Sequence, residues 1–197
     1  MGKLIFEYSS MNAGKSTKLL QTAFNYESND INVLLLKPSI DDRDGEFISS
    51  RIGLKNKCFL LNENDSIVSL YSNYIQDNNI KIILVDEAQF LSSSQVYELR
   101  NLTIDLDLTI ICYGLRTTFQ GKPFEASGIL LALSDKLVEN ITICTLCPKE
   151  HPSKATMNLK VNSDGSYTKN FNDSIIDTGF EDKYKSVCYK HWYLATI

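Results

Sequence analysis

Three groups of residues in this chain of 197 residues have types and spacings suited to chemistry. The first is Ser9-Ser10-Met11-Asn12-Ala13-Gly14-Lys15-Ser16, a run of small residues closing on Gly-Lys-Ser. Between a strand and a helix, such a turn aims backbone N–H groups and the positive end of the helix dipole at phosphates. Lys15 would bring a point charge to the β- and γ-phosphates, and the Ser16 hydroxyl a ligand for Mg2+. The pattern departs from G-x-x-x-x-G-K-[ST] at its first position, where Ser9 stands in place of glycine. The second group is Asp86-Glu87, which follows the apolar run Lys81-Ile-Ile-Leu-Val85. At the carboxyl end of a buried parallel strand, Asp86 is placed to hold Mg2+, directly or through water, opposite Ser16. Glu87 is then free to take a substrate proton. The competing reading makes both acids a cap for the next helix, from Ser92 to Arg100.

The third group is Cys144-Thr-Leu-Cys147 with Cys188-Tyr-Lys-His191. Two such knuckles suit a tetrahedral zinc ion, and with four protein ligands its role would be structural. His151 competes for the fourth position; His191 is preferred because it completes a knuckle with Cys188. Cys58 and Cys112 are isolated, and Cys112 lies in an apolar strand as a core residue.

These groups need elements to hold them. Lys3 to Tyr8 reads as a strand and Lys18 to Phe24 as an amphipathic helix. Asn32 to Lys37 is a second strand. Residues 38–57 are polar and read as a long functional loop carrying Asp41-Asp42-Arg43 and Ser49-Ser50-Arg51. A helix from Ser66 to Gln76 precedes the Asp86 strand. Leu108 to Tyr113 is a further strand, Phe124 to Leu133 a helix and Lys136 to Ile143 a last strand. Alternating strands and helices imply an α/β fold: a P-loop (RecA-like) parallel sheet with flanking helices and right-handed crossovers over residues 1–143. From Cys144 the chain turns to short strands, polar turns and cysteines, predicting a small zinc-binding domain over residues 144–197 that gains its stability from the metal.

Charge limits the partners. A net charge of −4 argues against nucleic acid or an anionic membrane, because phosphate-backbone binders need a basic surface. No apolar run approaches the roughly 18–20 residues that span a bilayer. Only Lys3 precedes the first apolar stretch, which reads as a strand and not a signal peptide. A cytoplasmic protein is expected, and in the cytosol a disulfide among these cysteines is not.

In order along nearly the whole chain, several motifs resemble the zinc-containing thymidine kinases of the cytosolic and bacterial type. They are Met11-Asn-Ala-Gly-Lys-Ser-Thr17, Asp41-Asp-Arg43, Val85-Asp-Glu-Ala-Gln-Phe90, Tyr113-Gly-Leu-Arg-Thr117 with Phe119, the two knuckles, and Tyr184-Lys-Ser-Val-Cys188. The bacterial members are the most similar, since they too carry Ser at the place of Ser9. The resemblance implies that residues 9–16 hold the phosphates of ATP, that Asp86 serves Mg2+, and that Glu87 is the general base on the 5′-hydroxyl of thymidine. Gln89 would close the nucleotide site, and Arg43, with Asp41 beside it, would lie over the phosphates. Leu115 and Phe119 would line the base pocket. Ile175, Ile176, Asp177, Thr178 and Gly179, with Tyr184, would form a loop that covers thymidine and binds it through backbone groups. The family's Ile-Gly-Gly corresponds here to Thr178-Gly179-Phe180, so the second glycine is lost.

The activity implied is transfer of the γ-phosphoryl group of ATP to thymidine. Deoxyuridine, which lacks only a methyl group worth about 1–3 kcal/mol, should be taken more weakly. The resemblance further implies a homotetramer and feedback inhibition by thymidine triphosphate (dTTP). Two other classes compete. Asp86-Glu-Ala-Gln89 after a phosphate loop also occurs in nucleic-acid-dependent motors, although one acidic domain lacks their second motor domain and basic track. A regulatory module that binds nucleotide without transferring phosphate is the other.

Overall fold

The computed structural model describes residues 1–162, 164–168 and 183–195. Six strands form one sheet: β1 (Lys3–Ser9), β2 (Val33–Pro38), β5 (Phe59–Leu61), β6 (Ile82–Val85), β7 (Thr109–Leu115) and β8 (Lys136–Glu139). Their order is β5-β2-β6-β7-β1-β8, and every pairing is parallel. The near-continuous apolar runs have a simple cause: the central strands are buried on both faces. Leu34, Leu36, Ile83, Val85, Ile110 and Cys112 face one core, and Leu35, Ile82, Leu84, Ile111 and Tyr113 the other. Helices α2 (Ile67–Asp77), α3 (Ser93–Asp105) and α4 (Glu125–Leu133) cover the first face through Ile67, Ile75, Val96, Leu99, Leu102, Ala126 and Leu130. Helix α1 (Lys15–Glu27) covers the second through Leu19, Leu20 and Ala23.

Strand order positions the chemistry. β1 and β6 lie on either side of β7, so the turn after β1 and the acids after β6 meet at the carboxyl edge of the sheet. In open parallel sheets ligands bind at this edge. Helix α3 starts at the capping box of Ser92 and Gln95, which satisfies its first free N–H groups. Asp86 and Glu87 are therefore not its cap; a single 3-10 turn, Ala88–Phe90, separates them from it.

Three segments differ from the sequence expectations. Within 38–57, the expected loop, β3 (Phe47–Ser49) and β4 (Lys55–Lys57) pair as an antiparallel hairpin. β5 adds an edge strand beside β2. The last strand, expected over Lys136 to Ile143, ends at Glu139, because its neighbour β1 ends at Ser9, where the chain turns into the Gly14-Lys15-Ser16 loop and offers no further ladder. The chain then leaves the sheet, and Ile143 makes an isolated bridge to Lys154.

The C-terminal module is a second sheet: β9 (Met157–Val161) pairs antiparallel with β10 (Tyr167–Thr168) and β11 (Tyr184–Val187). Short helix α5 (Tyr189–Leu194) follows. Its core is small, built on Cys144, Met157, Leu159 and Val187 with Trp192 packed against them. So few apolar side chains give a module of this size little stability of its own, and a cross-link between its ends adds much.

Candidate active site

One cleft of about 760 Å³ runs along the carboxyl edge of the sheet. Met11, Asn12, Ala13, Gly14, Lys15 and Ser16 form one end of its wall, and Leu115, Phe119 and Tyr184 contribute to the other. Asp41, Arg43, Asp86, Glu87 and Gln89 lie on the wall as well. Ser9 and Ser10 are buried and lie outside that lining.

The loop is shaped by two left-handed residues, Asn12 at φ 59° and Gly14 at φ 74°. Asn tolerates that conformation and Gly adopts it without penalty. Gly14 caps α1, and Lys18 N–H closes on its carbonyl at 3.0 Å. Lys15 folds back across the turn, donating to Ser9 Oγ at 3.2 Å and to the Ser10 carbonyl at 3.4 Å. Ser9 thus occupies the loop's first position as an acceptor for Lys15. Burial pushes the Lys15 ammonium below its ordinary range, with Glu87 and Asp86 opposing that shift. A buried cation whose hydrogen bonds among the described residues go to neutral oxygens favours an anion placed against it.

Ser16 Oγ donates to Asp86 Oδ2 at 2.9 Å. Asp86 Oδ1 is buried and lacks a hydrogen-bond partner among the described residues. Burial first, and Glu87 second, push the Asp86 carboxyl up to about 7, against the Ser16 hydrogen bond and Lys15. A carboxylate with one orphaned oxygen beside a serine hydroxyl is a donor set for a hard divalent cation, which takes oxygen ligands and offsets the cost of the buried charge. The residues present fit Mg2+ on that ground.

Glu87 has φ 47°, a left-handed conformation rare for a residue with a side chain. That turn sends the two adjacent carboxylates to different partners. Glu87 Oε1 accepts from Arg43 Nη2 at 3.0 Å, and Oε2 accepts from Gln89 Nε2 at 2.5 Å. Arg43 Nε donates to Asp41 Oδ1 at 2.5 Å, a bond that holds the guanidinium protonated at any working pH. Asp41 in turn faces buried Lys37 at 3.6 Å, whose Nζ also donates to the Phe47 carbonyl of the hairpin at 3.1 Å. Gln89 is fixed from its other side, where Oε1 accepts from Leu115 N–H at 3.0 Å. Gly114 makes this possible: a Cβ there would come within 2.9 Å of Gln89 Oε1.

At the apolar end, the rings of Phe119 and Tyr184 lie 6.1 Å apart, and Trp192 Nε1 donates to the Phe119 carbonyl at 2.8 Å. Ile175, Ile176, Asp177, Thr178 and Gly179, the expected covering loop, lie outside the described residues.

Cys144, Cys147, Cys188 and His191 come together with all ligand atoms within 4.8 Å of one another. His191 Nδ1 is 3.4, 3.6 and 3.3 Å from the sulfurs of Cys144, Cys147 and Cys188, and the sulfurs of Cys147 and Cys188 are 3.9 Å apart. A tetrahedral ion with sulfur at ~2.3 Å and nitrogen at ~2.0–2.1 Å has edges of about 3.6 and 3.8 Å, so the four side chains can hold a metal. His151, the competitor, is exposed and not among them.

Sequence reasoning missed four side chains. Lys37 sits under Asp41, and Arg51 of the hairpin donates from Nη2 to Asn12 Oδ1 at 2.6 Å. Asn158 Oδ1 accepts from Met11 N–H at 2.8 Å, and Ser186 Oγ donates to the Met11 carbonyl. Arg51 and Ser186 stand inside segments that the sequence singles out, residues 38–57 and Tyr184-Lys-Ser-Val-Cys188, without a role read for either side chain, and Lys37 shows as a charge inside an otherwise apolar strand.

The sheet, the phosphate loop and the paired acids define a nucleotide-phosphate-binding α/β protein with an appended metal-ligand module. A family model described as thymidine kinase matches residues 2–192. The thymidine kinase of Coxiella burnetii is 44% identical over 197 residues, covering 99% of this chain and 97% of that protein. Those of Shewanella oneidensis and Haemophilus influenzae are 41% and 42% identical over 193 residues, covering 98% of this chain and 97% and 96% of theirs. The chain belongs to the thymidine kinase family.

Proposed function

We propose that this protein transfers the γ-phosphoryl group of ATP to the 5′-hydroxyl of thymidine, giving thymidine monophosphate and ADP, and accepts deoxyuridine more weakly. The observation that carries this reading is the single cleft in which a phosphate loop, an acceptor carboxylate and an aromatic pocket share one wall. The family relatives are consistent with it. No observation favours a nucleic-acid motor or a silent regulatory module.

The residues divide the work. Backbone N–H groups of residues 9–16 and Lys15 hold the donor phosphates, and Arg43 lies over them from its seat between Asp41 and Glu87. The phosphoryl-transfer transition state is loose, so most catalysis is positioning plus compensation of charge on its oxygens. Mg2+, held by Ser16 and Asp86, would neutralise charge on the phosphate oxygens. Glu87 is the base that takes the 5′-hydroxyl proton, and its two donors, Arg43 and Gln89, hold its carboxylate in place. Leu115, Phe119 and Tyr184 are read as holding the thymine ring, and the segment from Ile175 to Gly179, outside the described residues, is read as its cover. A pocket that pairs with the 4-oxo and N3–H edge rejects cytosine by leaving buried polar groups unpaired.

The Cys144, Cys147, Cys188 and His191 cluster is read as a structural zinc site, its thiolate-rich donor set favouring that ion. Residues 1–143 are read as the catalytic domain and 144–197 as the zinc domain. The protein is further read as cytoplasmic, as a homotetramer and as inhibited by dTTP. Among the described residues no helix is long and apolar enough to cross a membrane. The test is to mix the protein with Mg2+, ATP and either thymidine or single-stranded DNA and to follow ADP. ADP that forms only with thymidine supports the kinase, whereas ADP that forms with DNA alone, or not at all, refutes it.

A further inference from the structure

The Met11 backbone, in the phosphate loop, is gripped at both ends by another part of the fold. Its N–H donates to Asn158 Oδ1 at 2.8 Å, and its carbonyl accepts from Ser186 Oγ. Asn158 and Ser186 are cross-strand partners in the register of β9 and β11, so their side chains stand on the same face of that sheet, directly opposite each other. Both are buried, at 3% and 1% exposure. A third contact runs in parallel, from Ser10 Oγ to the Ala155 carbonyl at 3.5 Å.

The other side of this grip leads straight to the metal ligands. The Ser186 carbonyl accepts from both the N–H and the hydroxyl of Thr145, at 3.0 and 3.1 Å. Thr145 follows Cys144, and Ser186 lies two residues before Cys188. The path from a metal ligand to the phosphate loop therefore crosses only Thr145 and Ser186.

We infer that Asn158 and Ser186 are positioning residues that clamp the phosphate loop in its anion-binding shape, so that the metal module sets nucleotide affinity as well as its own stability. The physical reason is local. Residue 12 needs a left-handed φ, and the loop works only if its N–H groups converge on the phosphates. Each of these part-buried hydrogen bonds to Met11 removes alternatives in which its backbone points elsewhere, and losing one partner leaves an N–H or carbonyl beside a buried side chain without its bond.

The inference rests on the phosphate-site reading above, and calorimetry with Mg·ADP separates the two. Ser186→Ala and Asn158→Leu should each weaken Mg·ADP about 5- to 30-fold with metal content unchanged, and raise the KM for ATP more than the KM for thymidine. Ser186→Thr, which keeps the hydroxyl, should restore affinity. A merely structural role would lower the melting temperature or the metal content and leave nucleotide affinity alone. In the metal-loaded parent the Met11 amide should resist hydrogen exchange as sheet amides do, which tests the clamp even if a variant does not fold. Variants that bind Mg·ADP within two-fold of the parent, or a freely exchanging Met11 amide, would overturn the clamp alone. A parent that binds no Mg·ADP would overturn the phosphate-site reading, and the clamp with it.

Discussion

Replacing Glu87 by Gln changes one atom of the cleft, and the structure sets what that atom does. Glu87 offers one oxygen to Arg43 and the other to Gln89. A glutamine offers one oxygen and one NH2 group, so one of those donors must face another donor. Gln89 cannot flip to relieve the conflict, because its own oxygen is held by Leu115 N–H. Arg43 is 39% exposed on its side chain, retains Asp41 and can take water instead. The conflict should thus be settled by turning the new amide toward Arg43 and hydrating it, at a stability cost of order 1 kcal/mol. Catalysis loses far more. An amide cannot accept the 5′-hydroxyl proton, and loss of a general base costs about 10²–10⁴ in kcat, or roughly 3–5 kcal/mol of barrier. Donor binding should move the other way. Removing a negative charge beside Lys15 and Asp86 relieves repulsion against the phosphates, so ATP should bind as tightly as before or more tightly. The assay is steady-state phosphorylation of thymidine beside calorimetry of Mg·ADP. A kcat within a few-fold of the parent would remove Glu87 as base. Nucleotide affinity lost in step with kcat would make it a structural prop of the loop instead.

Lys15→Ala should cripple both ATP binding and transfer, by 10²-fold or more, since the loop loses its one side-chain charge; retention of both would mean that residues 9–16 bind no phosphate. The raised Asp86 carboxyl gives a pH signature. Its protonated form is favoured in the metal-free fold, so its contribution to stability is full below about pH 4 and is lost as pH rises through about 7. Mg2+ must displace that proton below pH 7, so titration of Mg2+ into the ADP complex at pH 6, measured in buffers of different ionisation heat, should release more protons per ion from the parent than from Asp86→Asn, where only the nucleotide phosphate contributes. Elemental analysis should find one zinc per chain in the parent and in His151→Ala, and none in His191→Ala or Cys147→Ser. Zinc retained by His191→Ala would break the ligand assignment.

How far the sequence carried depended on whether the signal was local. β1, β2, β6 and β7 are apolar runs closed by small or acidic residues, and a parallel strand buried on both faces leaves that trace. The Ser92 and Gln95 box, three residues apart, is also a local device. Lys55-Asn-Lys57 has no apolar alternation, so nothing local marks the hairpin whose turn carries Arg51 toward Asn12. Phe59–Leu61 is too short to stand out beside β2. The clustering of Cys144, Cys147, Cys188 and His191 was legible because the chemistry of metal binding fixes such spacing. Asn158 and Ser186 were not, because their role exists only where β9 and β11 meet a loop far earlier in the chain, and one buried Asn or Ser looks like any other in sequence.

The central claim is that one cleft binds a triphosphate and a nucleoside and passes a phosphoryl group between them. ATP labelled in its γ-phosphate, incubated with Mg2+, thymidine and this protein, tests it most directly. The label should appear on the 5′-oxygen of thymidine, one equivalent for each ADP formed, with little inorganic phosphate. Label recovered as inorganic phosphate, or left on ATP while thymidine is present, would contradict the account.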